Sequence, residues 1–375
     1  MAEPLKNMYN QDFLEAFGRT IKSVYPSFHI EDFVQKVLAG DWQQLELKGR
    51  IRKITCSLKA CLPNHYEEAM EILLVVHNTC SGFPYLILPD YVEVYGQDDQ
   101  HWELSMRALE TFTQHSSSEF AVRPFIMRDP ERMMKQMLHW SESPNEHIRR
   151  LASEGCRPRL PWGQALTMFK QDPSPILPIL ERLKEDPSLY VRKSVANNLN
   201  DIVKDHPDIV IDIAQRWHGK HPHTDWIVRH ACRNLIRSAQ PEVMKLFGYA
   251  DPAEGAALVY KATLSVKPDL IQIGDSSELQ YEIEVRDGNP ARIRIEYGID
   301  FVKSNGKVSR KKFLLSDKTV DGGSCLQASR THRWADLTTR RHYPGTHTIV
   351  LLVNGQEVAS TDLQLNKTKS FLANK

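Results

Sequence analysis

The sequence predicts a multidomain chain in two halves, an all-α repeat array over residues 1–247 and a small all-β sandwich over 261–368. Three observations carry this. Apolar residues recur at three- and four-residue intervals from about residue 10 to residue 247. One phrase returns three times within that half, and after Gly248 the period changes to two.

The helical half reads as helix after helix, broken by Pro, Gly, Asn or Asp, with clear examples at Phe33 to Leu38, Tyr66 to Val76, Trp102 to Phe112 and Ile176 to Leu183. The returning phrase is HIRRLASEG at 147–155, YVRKSVANN at 190–198 and IVRHACRNL at 227–235, with a weaker copy, FAVRPFI, at 120–126. Its anchors Ile148, Val191 and Val228 lie 43 and 37 residues apart, the period of a HEAT-like helix pair. Such pairs stack into a curved solenoid whose concave face suits an elongated partner.

Residues 248–260 read as a linker. Beyond it, ATLSVKP, LIQIG, LQYEIEVRD, ARIRIEYGIDFV, KKFLLSD and HTIVLLVNGQEVASTDLQL alternate apolar with polar residues. Turn signals separate them at Asp287-Gly288-Asn289, Ser304-Asn305-Gly306 and Asn354-Gly355. About seven strands of this kind predict an immunoglobulin-like sandwich. It lacks the paired cysteines of antibody domains, since Cys325 stands alone there, and residues 369–375 form a tail.

Composition sets bounds on function. With 41% hydrophobic and 25% charged residues the chain is folded, and a net charge of +1 means that any polyanion surface must come from segregated charge. The six cysteines form no CxxC and no Cys/His grouping at zinc spacing, so neither metal nor cofactor is expected and the thiols read as reduced. The N-terminus lacks a secretory pattern, and no run approaches the roughly 20 apolar residues of a membrane span. A cytoplasmic monomer away from membranes is the expectation.

Between Lys303 and Arg341 ten basic residues, Lys311 and Lys312 among them, face three acids. Phosphate contact and protection of strand edges against aggregation both account for this excess. In the repeats, four-residue spacing aligns Arg150 with Glu154, Lys193 with Asn197 and Asp201, and His230 with Asn234. Solvated helices carry such pairs too. The segment RRLASEGCRPRLPWG at 149–163 is more specific: a helix bearing Glu154 runs into Gly155, a candidate C-cap, and leaves through Arg157-Pro158-Arg159-Leu160-Pro161 to Trp162. This could hold a phosphodiester beside an aromatic face and a carboxylate, or Trp162 could pack under the next helix while Glu154 pairs with Arg150. Glu119 in HSSSEFAVRPF, with Arg123 four residues on, is a second acid or a helix-start residue favoured by the dipole, and Asp201 is a third.

Glu119 in SSSEFAVRPF, Glu154 in RRLASEGCRPRLPW and Asp201 in VANNLNDIVKDHP together resemble the AlkC branch of the AlkC/AlkD DNA alkylation-repair glycosylases. The resemblance covers roughly residues 1–247, and the sandwich is similar to the immunoglobulin-like domain of some AlkC members. The tryptophan and aspartate that AlkD pairs on one helix have no counterpart in the corresponding repeats. The resemblance implies a monofunctional DNA glycosylase that hydrolyses the N-glycosidic bond of N3-methyladenine and N3-methylcytosine in duplex DNA without base flipping. It implies Glu154 as the principal carboxylate at the sugar, Glu119 and Asp201 in support, and Trp162 against the deoxyribose or lesion. Arg123, Arg150, Arg157, Arg159, Arg192, Lys193, Asn197, Arg229 and Arg233 would hold the DNA, with Lys311 and Lys312 reaching it from the sandwich. Two rival readings are a HEAT-repeat scaffold for proteins and a damaged-DNA-binding protein that cuts nothing.

Overall fold

A computed structural model of the chain describes residues 3–250, 258–338 and 340–367. Most of the expected linker and the whole expected tail lie outside the described residues. Among the described residues sixteen α-helices precede eight strands. The chain divides into two compact units, Met1–Ala231 and Cys232–Lys375, so the last two helices, Arg233–Ser238 and Pro241–Leu246, pack with the strands.

The three copies of the repeated phrase lie on the helices Glu146–Gly155, Leu189–Ile202 and Pro222–Ala231, the third copy running on past Ala231 into the start of Arg233–Ser238. Each follows and packs on an outer helix, respectively Pro130–Trp140, Leu177–Leu183 and Pro207–Trp217, and successive inner helices pack on one another. Ile148, Val191 and Val228 are buried, as repeat anchors must be. Polar caps start the first two inner helices: Asn145 accepts from the His147 amide and Ser188 from the Tyr190 amide. The arginines that follow the first two anchors close the turns before their own helices. Arg149 donates to the carbonyls of Ser143 and Pro144, and Arg192 to those of Asp186 and Pro187. Arg149 also forks onto Asp186 at 2.6 and 3.1 Å, fastening one repeat to the next. Small residues let the inner helices approach: the Ser153 and Ser194 hydroxyls meet at 2.7 Å, and the Asn198 amide donates to the Ser153 carbonyl.

The strands are β1 Val259–Lys267, β2 Leu270–Gln272, β3 Ser276–Val285, β4 Ala291–Val302, β5 Val308–Val320, β6 Cys325–Arg333, β7 Gly345–Val353 and β8 Gln356–Asn366. They form two sheets ordered β1-β3-β6 and β2-β8-β7-β4-β5, antiparallel except where β2 joins β8. The Asn354-Gly355 turn links β7 to β8 with both residues at positive φ, the geometry a tight two-residue hairpin demands. β6 is the strand that the alternation rule misses. Its sequence CLQASRTHR is mostly polar and exposed, because it forms the edge of the smaller sheet.

Between the sheets, Trp334 is wholly buried and donates from Nε1 to the Ser277 hydroxyl. Around it and Phe301 stand three buried histidines, His332, His342 and His347. All three have lowered pKa values. For His332 burial is the main cause, reinforced by Arg340, His342, Arg330 and Lys311, and its pKa falls to about 4 from 6.5. A histidine that protonates more easily when unfolded contributes stability that is complete above about pH 6.5 and is lost as the pH falls toward 4. A shift of this size corresponds to on the order of 3 kcal/mol. The melting temperature should therefore fall as the pH is lowered across that window, and His332→Phe should flatten the profile. Identical pH profiles for the two proteins would acquit this residue.

Candidate active site

The turn after the helix Glu146–Gly155 is built from beneath. Gly155 is the last helical residue rather than a left-handed cap, and Cys156 takes the cap position. The glycine is needed for close approach: a Cβ there would lie 2.6 Å from Val122 Cγ2. Arg123, 1% exposed, sits under the turn and donates to the carbonyls of Gly155, Arg157 and Gln164 at 2.6–2.9 Å. Burial pushes its pKa down to about 10. The expectation of a phosphate contact is corrected here, since the guanidinium is enclosed and its Nε and Nη1 donate to backbone oxygens. Held this way, the turn carries Trp162 at φ 61°, a conformation that costs a bulky residue energy, with the side chain 61% exposed. It does not pack under the next helix.

Carboxylates and cations alternate from this turn across the inner helices. Glu119 meets Arg150 at 2.8 Å, and Arg150 reaches Glu154 at 3.7 Å. Arg157 bridges Glu154 at 2.7 Å and Asp201 at 2.9 Å, and Lys204 closes the chain on Asp201 at 3.0 Å. Three acids thus balance three bases. Burial works against the charge on Arg150 and Arg157, but the flanking carboxylates more than offset it and hold both pKa values above the ordinary arginine value. Arg150 is further fixed by the Tyr190 ring, 4.7 Å from its guanidinium carbon.

The acids differ in access. Side-chain exposure is 15% for Glu119, 8% for Glu154 and 4% for Asp201. Glu119 and Arg150 line an open cleft of about 290 Å³ whose other walls include Phe83, His115, Ser117 and Tyr190. Glu154 and Asp201 lie outside that lining. Ser117 and Arg150 both engage Glu119 Oε2. Trp162 lies outside the lining but packs edge to face on Phe83 at 6.3 Å and 71°. Of the four acid and tryptophan positions singled out from the sequence, Glu119 lines the cleft, Glu154 and Asp201 connect to it only through Arg150 and Arg157, and Trp162 meets it through Phe83.

A family model described as DNA alkylation repair enzyme matches residues 96–235, and one described as the YhaZ C-terminal Ig-like domain matches 261–367. The Bacillus subtilis protein YhaZ is 45% identical over 361 residues, which cover 96% of this chain and 99% of that protein. The Pseudomonas fluorescens alkylpurine DNA glycosylase AlkC, solved bound to DNA containing an abasic site analog, is 39% identical with a TM-score of 0.91, covering 97% of this chain and 100% of that one. The chain belongs to the AlkC family.

In this AlkC family member the remaining sequence candidates fall into three groups. Arg157 is enclosed by Glu154 and Asp201, Arg159 is tied to Asp205, and Arg192 is spent on turn carbonyls, so all three have protein partners in place of a phosphate. Lys312 is likewise structural: its ammonium donates to the Arg237 carbonyl while Arg237 donates to the Lys312 carbonyl. Lys193, Arg233 and Lys311 are exposed. Asn197 and Arg229 are half-buried, and Arg229 occupies the register of Arg149 and Arg192 in the third repeat. Sequence reasoning missed Phe83, Ser117, Tyr190 and Lys204. Tyr190 had a signal, because it shares with His147 the position before the repeat anchor, and the two rings meet at 5.6 Å. Phe83 had none.

No helix among the described residues is long and apolar enough to cross a membrane. No cluster of three or more His, Cys, Asp or Glu able to hold a metal occurs among them either.

Proposed function

We propose that this chain is a monofunctional DNA glycosylase, acting in the cytoplasm as a monomer, that hydrolyses the N-glycosidic bond of N3-methyladenine and N3-methylcytosine in duplex DNA. One observation carries the reading: a partly exposed carboxylate, Glu119, opens onto a cleft beside an outward-held tryptophan in a chain with a full-length AlkC relative.

The chemistry needs little more. Alkylation makes the base a cation, so the C1′–N bond breaks with its electron pair passing to the base, which leaves neutral. Positive charge is then on the sugar. Glu119 stabilises that charge and takes the proton of the water that adds at C1′. Glu154 and Asp201 act from below by holding Arg150 and Arg157, so the carboxylate nearest the reaction is Glu119 rather than the Glu154 expected from the sequence. Trp162 presents its ring to the deoxyribose. An open cleft in place of an enclosed cavity supports reaction on a base that is not swung out of the helix.

Incubation with methylated duplex DNA should release free N3-methyladenine and N3-methylcytosine and leave alkali-labile, unbroken strands. Binding without release would identify a damage binder, and neither binding nor release a scaffold. A borohydride-trapped covalent complex would refute the monofunctional mechanism.

A further inference from the structure

Phe83 and Phe120 are the phenylalanines at the cleft to which the mechanism above gives no task, and Phe120 already lies under the Lys48 ammonium, 3.9 Å from its ring centre, which leaves Phe83. It is 36% exposed and lines the cleft. It is also held firmly. Gly82, at φ +93°, donates its amide to the His115 carbonyl at 2.7 Å, and the Ser81 hydroxyl donates to the same oxygen at 3.3 Å. That strap ties the 81–83 segment to the turn that carries Ser117 and Glu119. Leu86, one turn on and buried, also lines the cleft.

The neighbouring rings are already committed. Tyr190 lies against the Arg150 guanidinium, and Trp162, set at 71° to Phe83, forms the other side of an aromatic corner. The ion-pair chain is balanced in charge, so net charge gives the site no preference for a cation. A ring face does, because its quadrupole attracts positive charge most strongly where water is excluded.

We propose that Phe83 is a substrate-contacting residue that presents its ring face to the positively charged base and sets the preference of the cleft for cationic over neutral lesions. The inference rests on the glycosylase reading above. Trp162 meets the sugar and Phe83 the base, with Glu119 beneath the bond that breaks.

The test uses the full chain in two measurements: single-turnover release of N3-methyladenine from methylated duplex, and affinity for a duplex carrying a tetrahydrofuran abasic analogue, which has no base. Phe83→Leu should slow release about five- to tenfold, the range expected for one partly desolvated cation–ring contact, while abasic affinity stays within about twofold. Phe83→Tyr should retain release. Replacing Phe83 by mono-, di- and trifluorophenylalanine should slow release in graded steps as the ring face loses negative charge. Equal rates across the fluorinated series, or abasic affinity falling in step with release in Phe83→Leu, would overturn the proposal. If the wild-type chain released no base at all, the glycosylase reading itself would fail and take this inference with it.

Discussion

Glu119→Gln is expected to slow release of N3-methyladenine by about a hundred- to a thousandfold while leaving affinity for an abasic-analogue duplex within a few fold. The size follows from removing one pre-organised electrostatic stabiliser of a developing charge. The substitution preserves shape, and the Ser117 and Arg150 donors can still be met by the amide oxygen, so the cleft should keep its form. What disappears is the negative charge beside the sugar and the group that accepts the proton of water. Glu154→Gln provides the contrast. Glu154 joins Arg150 to Arg157 from a buried position, so its loss should lower melting temperature as well as rate. Should Glu119→Gln turn over normally while Glu154→Gln does not, the assignment of the two carboxylates must be exchanged.

Much of this site was readable before any coordinates, because helical periodicity is a local property. The repeat register located the inner helices, and four-residue spacing placed Arg150 beside Glu154, a pair that exists at 3.7 Å. The two-residue period likewise found the long strands of the sandwich. Contacts between distant segments left no such trace. Glu119 meets Arg150 because the turn before the helix Val122–Arg128 reaches the next repeat, and nothing in SSSEFAVRPF states that. Arg192, one of the basic residues expected to hold DNA, proved misleading. It matches Arg149 of the preceding repeat because both satisfy the carbonyls of their own turns, a structural requirement that resembles a cationic stripe when read as text. Arg123 misled in the same way, since a buried arginine under a turn and an exposed one facing phosphate are spelled alike. Trp162 was singled out for its proline-bounded setting. Its positive φ falls in a turn whose carbonyls are held by Arg123 from the helix Val122–Arg128, a contact between distant segments that no local pattern encodes.

The alternating chain makes a second strong demand, on stability. Arg157→Ala should destabilise the helical unit by about 3–5 kcal/mol, the usual consequence of removing one member of a buried ion pair. Glu154 and Asp201 are 6% and 3% exposed, and Arg157 is the only cation that touches both among the described residues. Without it, Asp201 keeps Lys204 and Glu154 keeps the more distant Arg150, so two like charges remain buried with weakened compensation. For a unit of this size the loss corresponds to roughly 10 °C in melting temperature. Arg157→Lys should recover part of it at most, because one ammonium cannot reproduce a fork that spans two carboxylates. Thermal melting followed by helix circular dichroism, which the helical unit dominates, would report the effect. The double variant Glu154→Gln/Arg157→Ala should be less damaged than the sum of its single changes, since removing the acid relieves the burial that the arginine had offset. Strict additivity, or an Arg157→Ala melt within 2 °C or so of wild type, would mean that the helices alone hold Glu154 and Asp201 in place, and the alternation would lose its role as the frame beneath Glu119.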